Sequence, residues 1–326
     1  MSQWWESLGV RFERDLRREV GEGSEVVLVD FPDHANVGDS AIWCGEIEAL
    51  NRCGTRIVAS YSSYNFNPSH FRQVLSRHTS AVVLIHGGGN LGGLYEHHHR
   101  LRLAVLQSSH GSRVVQMPQS LDWASERHRD ELVQAASPFG RDAVFMVRDK
   151  GGFGRISEVG LFGCTTPDAI HALERTQALA FKGPLIHART DGESASSLSN
   201  LSVNSSDWPP ERRRAWRRQA ADALLRVGLT REGSMQGRLE NQNLLARQRL
   251  ERGIRLLAGH SLVLTDRLHG MLIAQMLGIP VSAVDNSTGK LSRYVDTWIK
   301  PIDPVPVTFH GSWTEAFMAS DLGSPT

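Results

Sequence analysis

Nothing in the 326 residues approaches the roughly 20 consecutive apolar side chains that a membrane-spanning helix needs, so no span is expected. The first residues, Met1-Ser2-Gln3-Trp4-Trp5-Glu6, are followed within a few positions by acids and bases, so no secretory signal is expected. Cysteine is scarce. Cys44, Cys53 and Cys164 are odd in number and lack metal-ligand spacing, which argues against a disulfide framework and for reduced thiols in a cytoplasmic protein. Charge of one sign is also lacking. With 36 Lys and Arg against 35 Asp and Glu, the formal net charge is +1, so charge alone gives no reason to expect a nucleic-acid partner. Internal repeats are absent as well.

The composition that remains, 40% hydrophobic and 22% charged, is that of a soluble globular protein, and the length suits two domains. Short apolar, β-branched runs alternate with longer helical patterns. Strands are expected at 25–30, 56–59, 81–85, 113–117 and 143–147, with helices at 41–53, 97–108 and 125–136. That alternation predicts a parallel sheet covered on both faces. A boundary is expected between Gln177 and Gly183, followed by a strand at 184–189 and a Ser/Asn-rich loop at 193–206. Asp207-Trp208-Pro209-Pro210 then starts a helix holding Arg212, Arg213, Arg214, Arg217 and Arg218. A helix at 241–257, a strand at 262–265, a nearly all-apolar helix at 268–277 and a strand at 281–284 complete the pattern. The fold class is therefore α/β, with two units and a cleft between them, the second unit reduced. The division runs 1–178, 179–305 and a tail at 306–326.

Four segments sit where strands end, the place where open α/β sheets bind ligands. In Asn36-Val37-Gly38-Asp39, Gly38 permits tight backbone geometry, and Asp39 either faces the cleft or caps the following helix. In His86-Gly87-Gly88-Gly89-Asn90, successive glycines either bring backbone N–H groups close to an anion or sugar or form a plain flexible turn. The spacing is not that of a dinucleotide site. Arg148-Asp149 reads as a salt bridge or as cleft lining. Arg267-Leu268-His269-Gly270, between a strand and a buried helix, places a guanidinium and an imidazole at a positive helix terminus. Its alternative is an Arg267–Asp266 pair beside a core histidine. His97-His98-His99 is not expected to bind metal, because consecutive helical positions diverge.

In this order these segments, with Pro167-Asp168, Arg189 and Gly278-Ile279-Pro280-Val281, resemble the polysaccharide pyruvyl transferase family over residues 25–298. The resemblance implies two Rossmann-like domains arranged like the B-type glycosyltransferases. It implies phosphoenolpyruvate as co-substrate, with no other cofactor and no metal. It places the donor in the C-terminal half, on Arg189, Arg267, Leu268 and His269. The acceptor, a saccharide that is free or lipid-linked, is placed against Asn36, Gly38, His86, Gly88, Gly89, Asn90 and Arg148. One departure is the apparent lack of strands between Arg189 and Ser261. Another is Gly151-Gly152, which displaces the family's usual serine after Arg-Asp.

On that reading two arginines clamp the phosphate and carboxylate, His269 donates a proton or binds phosphate, and Asp39 or Asp149 is the general base. The arginine-rich helix reads as a solvated face. Its alternative is contact with a lipid diphosphate or the inner face of a membrane. Competing readings are a B-type glycosyltransferase using a nucleotide sugar and a binding protein without chemistry. The sequence does not specify the acceptor or the oligomeric state.

Overall fold

The structure is a computed structural model that describes residues 3–109, 111–190, 205–210, 233–302 and 307–320. The arginine-rich stretch 212–218 and most of the Ser/Asn-rich loop lie outside the described residues.

The chain begins with helix α1 (Trp4–Val20), then β1 (Glu25–Phe31), α2 (Val37–Arg52), β2 (Arg56–Ser62) and α3 (Pro68–Arg77). Strands β3 (Val82–Ile85) and β4 (Gly88–Leu91) precede α4 (Glu96–Ser108), β5 (Val114–Leu121) and α5 (Glu126–Ala136). Then come β6 (Ala143–Val147), α6 (Lys150–Glu158) and β7 (Phe162–Thr165). These form a seven-stranded sheet of order β2-β1-β3-β5-β6-β7, with β4 paired to β5 and every pairing parallel.

A second sheet is built from β8 (Leu185–His187), β9 (Val263–Thr265), β10 (Val281–Val284) and β11 (Val307–His310), in the order β11-β10-β9-β8 and again parallel. Around it lie α7 (Gly233–Leu257), α8 (Leu268–Met276), α9 (Lys290–Tyr294) and α10 (Trp313–Met318). The stretch expected as a tail thus supplies a strand and a helix.

Burial explains the runs. β5 is buried along its whole length and β3 shows no exposed position, because parallel strands are covered on both faces. On one face of the first sheet, Phe12 and Leu16 of α1 and Trp43 of α2 pack on Val26, Leu28 and Phe31. α8 is nearly all apolar and joins a core that also takes Trp4 and Trp5 of α1 and Val37 and Ala41 of α2. The N-terminal helices are therefore shared between the cores beneath the two sheets.

α7 ties the two regions together through polar contacts. Asn243 Oδ1 accepts the Trp43 indole N–H at 2.8 Å, and the Ser60 hydroxyl donates to Gln242 Oε1 at 2.5 Å. Arg249 and Arg252 donate to the carbonyls of Pro32 and Ala35, each at 2.7 Å, and so hold the loop between β1 and α2.

A short 3₁₀ turn, Ala169–Ala172, follows β7, and Asp168 caps it by accepting the Ile170 N–H at 3.0 Å. α2 crosses this turn so closely that a Cβ on Gly45 would run into the Ala169 carbonyl. Gly45→Ala should therefore cost about 1–3 kcal/mol in urea unfolding through overpacking. That is expected to outweigh the roughly 1 kcal/mol of helix propensity alanine gains. A stabilised variant would show that the turn yields freely.

Candidate active site

The C-terminal ends of strands from both sheets meet at one cavity of about 330 Å³, at the small end of the range of about 300–1,000 Å³ for ligand pockets. From the first sheet's side come Asn36 and Asp39 after β1, Gly89 and Asn90 after β3, and Arg148 after β6. From the second sheet's side come Arg189 after β8, Arg267, Leu268 and His269 after β9, and Asn286 and Lys290 after β10. Nine residues expected in the site therefore line one cavity: Asn36, Asp39, Gly89, Asn90, Arg148, Arg189, Arg267, Leu268 and His269.

Asp168 links the two sides. Its carboxylate accepts Arg148 Nη1–H at 2.5 Å and lies 3.2 Å from His269 Nε2. Burial alone would raise its pKa, but His269 and Arg148 prevail and hold the carboxyl far below the usual range. Its backbone N–H donates to the Tyr294 hydroxyl at 3.1 Å, and that hydroxyl lies 2.9 Å from His171 Nε2. Arg148 also donates to the Ser120 hydroxyl at 2.8 Å, and its carbonyl accepts the Trp298 indole N–H at 2.7 Å.

His269 stands in the first turn of α8 and packs against the first turn of α2. A Cβ on Gly38 would come within 2.7 Å of His269 Nδ1, so the glycine is required by this approach and not by a turn. Asn36, not Asp39, caps α2, its side chain accepting the Gly38 N–H at 2.8 Å. Asp39 is thus free to face the cavity, with His34 Nε2 at 3.6 Å. Burial would raise the Asp39 pKa, but the imidazoles of His34, His269, His86 and His98 hold it below the usual carboxylate value.

Arg267 donates to Asp207 at 2.6 Å, and Asp266 instead accepts the Arg189 N–H at 2.9 Å. The expected alternative, an Arg267–Asp266 pair, is not what forms. Lys290, with its ammonium donating to the Gly89 carbonyl at 3.3 Å, completes a cationic wall.

Four expected residues lie elsewhere. Asp149 caps α6, accepting the Gly152 N–H at 2.7 Å, and does not line the cavity, so it is poorly placed as a general base. Adjacent residues at a strand end point to opposite sides, which sends Arg148 inward and Asp149 to the helix. His86 is buried against Glu46, 2.7 Å from Nδ1 to Oε2, and the same carboxylate takes the Gly87 N–H at 2.8 Å. The start of the glycine segment is therefore pinned in the core, and its continuation forms β4 and not a free turn. Gly88, at φ +133°, lies behind Asp39, and Gly38 lies behind His269. Asn90 Oδ1 is fixed by Arg102 at 2.8 Å and Gln119 at 3.0 Å, which orients its amide.

Asp168 is not one of the expected site residues, although Pro167-Asp168 stands among the motifs. Lys290, Asn286, Trp208, His34, Tyr64 and Tyr95 also line the cavity and carry no local signature in the sequence. In the histidine run, His98 pairs with Asp30 and His99 with Glu131. Among the described residues, no group of three or more His, Cys, Asp or Glu side chains could hold a metal. No described helix is long and apolar enough to cross a membrane.

Asp168→Asn should leave the buried Arg148 guanidinium without its counter-charge and cost about 3–5 kcal/mol in urea unfolding at neutral pH. The carboxyl's folded pKa is depressed, so its contribution is complete above the unfolded value of about 3.9 and fades as pH falls through the folded value. The gap between wild type and variant should accordingly narrow only below about pH 4. Equal stability at pH 7 would show that the pair contributes nothing.

Comparison with known proteins matches a family model described as polysaccharide pyruvyl transferase to residues 36–288. Pyruvyl transferase 1 of Schizosaccharomyces pombe is 27% identical over 307 residues, covering 84% of this chain and 70% of that protein. EpsO of Bacillus subtilis, provisionally named a pyruvyl transferase, is 25% identical over 310 residues, covering 90% of this chain and 91% of that protein. A crystal structure of a functionally uncharacterized protein from Klebsiella pneumoniae aligns with a TM-score of 0.59 at 18% identity, covering 94% of this chain and 99% of that one. That is a likeness of fold alone.

Proposed function

The chain belongs to the polysaccharide pyruvyl transferase family, and on that premise we propose that it moves pyruvate from phosphoenolpyruvate onto a pair of sugar hydroxyls as a ketal, releasing phosphate. The acceptor in this reading is a cell-surface polysaccharide or its lipid-linked precursor. The observation that carries the proposal is the single cavity in which Arg148, Arg189, Arg267 and Lys290 converge around His269. Phosphoenolpyruvate packs a phosphate and a carboxylate into a few atoms, and such a compact polyanion calls for several cations in a low-dielectric site.

We assign Arg189 and Arg267 to the phosphate and carboxylate, beside the first turn of α8 with its free N–H groups. His269 protonates C3 of the enol, which makes C2 electrophilic. One sugar hydroxyl attacks C2, the second closes the ring, and the C2–oxygen bond to phosphate breaks. The two hydroxyl protons replace the one delivered to C3 and the one that departs with phosphate. Asp168 holds His269, and Arg148 holds Asp168, so the proton donor is fixed from the first sheet's side. Asn36, Asp39, Gly89 and Asn90 form the acceptor wall. Asp39 accepts a hydrogen bond from an acceptor hydroxyl.

Two all-parallel sheets whose strand ends face one cavity support dividing the chain near residue 178 into Rossmann-like halves in the B-type glycosyltransferase arrangement, with the strand at 307–310 belonging to the second half. Family membership favours pyruvyl transfer over a nucleotide-sugar reaction in that frame. A lipid-linked acceptor places the enzyme at the cytoplasmic face of a membrane.

Phosphoenolpyruvate should raise the melting temperature of the purified protein. Stabilisation by nucleotide sugars and none by phosphoenolpyruvate would overturn the reading. Arg267→Lys, which loses the two-pronged grip, should weaken phosphoenolpyruvate binding about 10–100-fold, the equivalent of one charge-assisted contact. His269→Ala should retain that binding in a thermal-shift titration while kcat for acceptor-dependent phosphate release falls by about 10²–10⁴. Unchanged turnover in a folded variant would remove His269 from the chemistry.

A further inference from the structure

The proposed transfer needs a proton delivered at C3 and protons removed from sugar hydroxyls, and one imidazole does not do both in the same step. The cavity contains a second imidazole held by a carboxylate. His98, on α4, lines it from the first sheet's side, and His98 Nδ1 lies 2.8 and 2.9 Å from the two carboxylate oxygens of Asp30. We propose that His98, oriented by Asp30, is the base that takes the proton from the acceptor hydroxyl attacking C2. The proposal rests on the phosphoenolpyruvate reading above.

The backbone around Asp30 supports it. Asp30 is the one non-glycine residue with positive φ among the described residues, at 75°, and its side chain is 1% exposed. The pairing of β1 with β2 slips between Val29 and Phe31, so Asp30 sits on a bulge. A bulge re-aims a side chain, and left-handed strain of this kind concentrates where geometry serves a site. Here it turns a carboxylate out of the β1 ladder and onto the ring of His98.

A carboxylate only accepts, so the proton in that contact sits on Nδ1. In the neutral ring, Nε2 keeps its lone pair and is the nitrogen left for the cavity. This repeats the logic of the other imidazole. His269 is held by Asp168 on the donor side and His98 by Asp30 on the acceptor side.

The rival bases are less suited. Asp39 is held below the usual carboxylate value, which makes it a weak proton acceptor for a sugar hydroxyl. Among the described residues the carboxylate nearest His34 is that of Asp39 at 3.6 Å, and the side chain is 42% exposed, so its ring is less closely held than that of His98. In the proposed step His98 Nε2 takes the hydroxyl proton as the oxygen bonds to C2. The C3 proton comes from His269, and phosphate departs with the electron pair of the C2–O bond.

The groups facing His98 are Asp30 on β1, His34 on the following loop at 6.4 Å between rings, Tyr95 at 6.2 Å and His97 at 4.0 Å, with Asp39 of α2 acting through its charge. The test uses the full chain, phosphoenolpyruvate and methyl hexopyranosides with free 4- and 6-hydroxyls as acceptor probes. It follows phosphate release, with thermal shift by phosphoenolpyruvate as the measure of fold and donor binding.

His98→Gln is expected to keep the thermal shift and the KM for phosphoenolpyruvate while kcat falls about 10²–10⁴-fold. Added imidazole should restore part of the turnover of His98→Ala. Asp30→Asn, which removes the carboxylate that fixes the ring, should lower kcat while the KM and thermal shift for phosphoenolpyruvate stay within a few-fold of wild type, a split that a purely structural tie between β1 and α4 would not produce. Turnover of His98→Gln within a few-fold of wild type overturns this proposal alone. Wild-type protein that shows neither a phosphoenolpyruvate thermal shift nor acceptor-dependent phosphate release overturns the donor reading, and this proposal with it.

Discussion

One carboxylate, that of Asp168, organises the centre of the molecule. It is buried, it caps a 3₁₀ turn, and it touches a guanidinium from the first sheet and an imidazole from the helix after β9. A buried charge persists only when its partners are close and its remaining lone pairs are used. That requirement determines where Arg148 and His269 can stand, and it makes the relation between the two sheets part of the site. The turn it caps is clamped in turn by α2, which approaches closely enough to require Gly45.

The helices that line the cavity are also the helices that join the cores. Val37 and Ala41 of α2 pack with α8, so the first turns of both helices meet, and Gly38 leaves the room that His269 occupies. From the other side α7 grips the carbonyls of the β1–α2 loop, which carries His34 and Asn36 into the cavity. Packing energy from apolar surfaces thus holds polar groups in positions they would not keep by their own weak interactions.

Charge is distributed with the same economy. The cationic side chains lie on both walls, while the carboxylates in contact with them, Asp168 and Asp207, are engaged by Arg148 and Arg267. Asp39 remains a carboxylate among imidazoles. An anionic ligand in this cavity would therefore meet a preorganised field of cations.

The alternation of β-branched runs with helical patterns determined the α/β class and most strand positions, because a strand covered on both faces must be apolar throughout, as β3 and β5 are. Position after a strand end picked out Asn36, Asp39, Arg148, Arg189, Arg267 and His269, since side chains there project beyond the sheet whatever the rest of the chain does. What tertiary structure alone decided is which side chain of a local pair turns inward. Arg148 enters the cavity while Asp149 caps a helix, and His86 goes to Glu46 while Asn90 reaches the pocket. It also decided the partnerships across long stretches of chain: Asp168 with His269, Lys290 with the Gly89 carbonyl, and the strand at 307–310 with the second sheet. A linear pattern records which residues are apolar and which are punctuating. It does not record which buried charge another buried charge will meet, because that choice is made by the packing that brings them together.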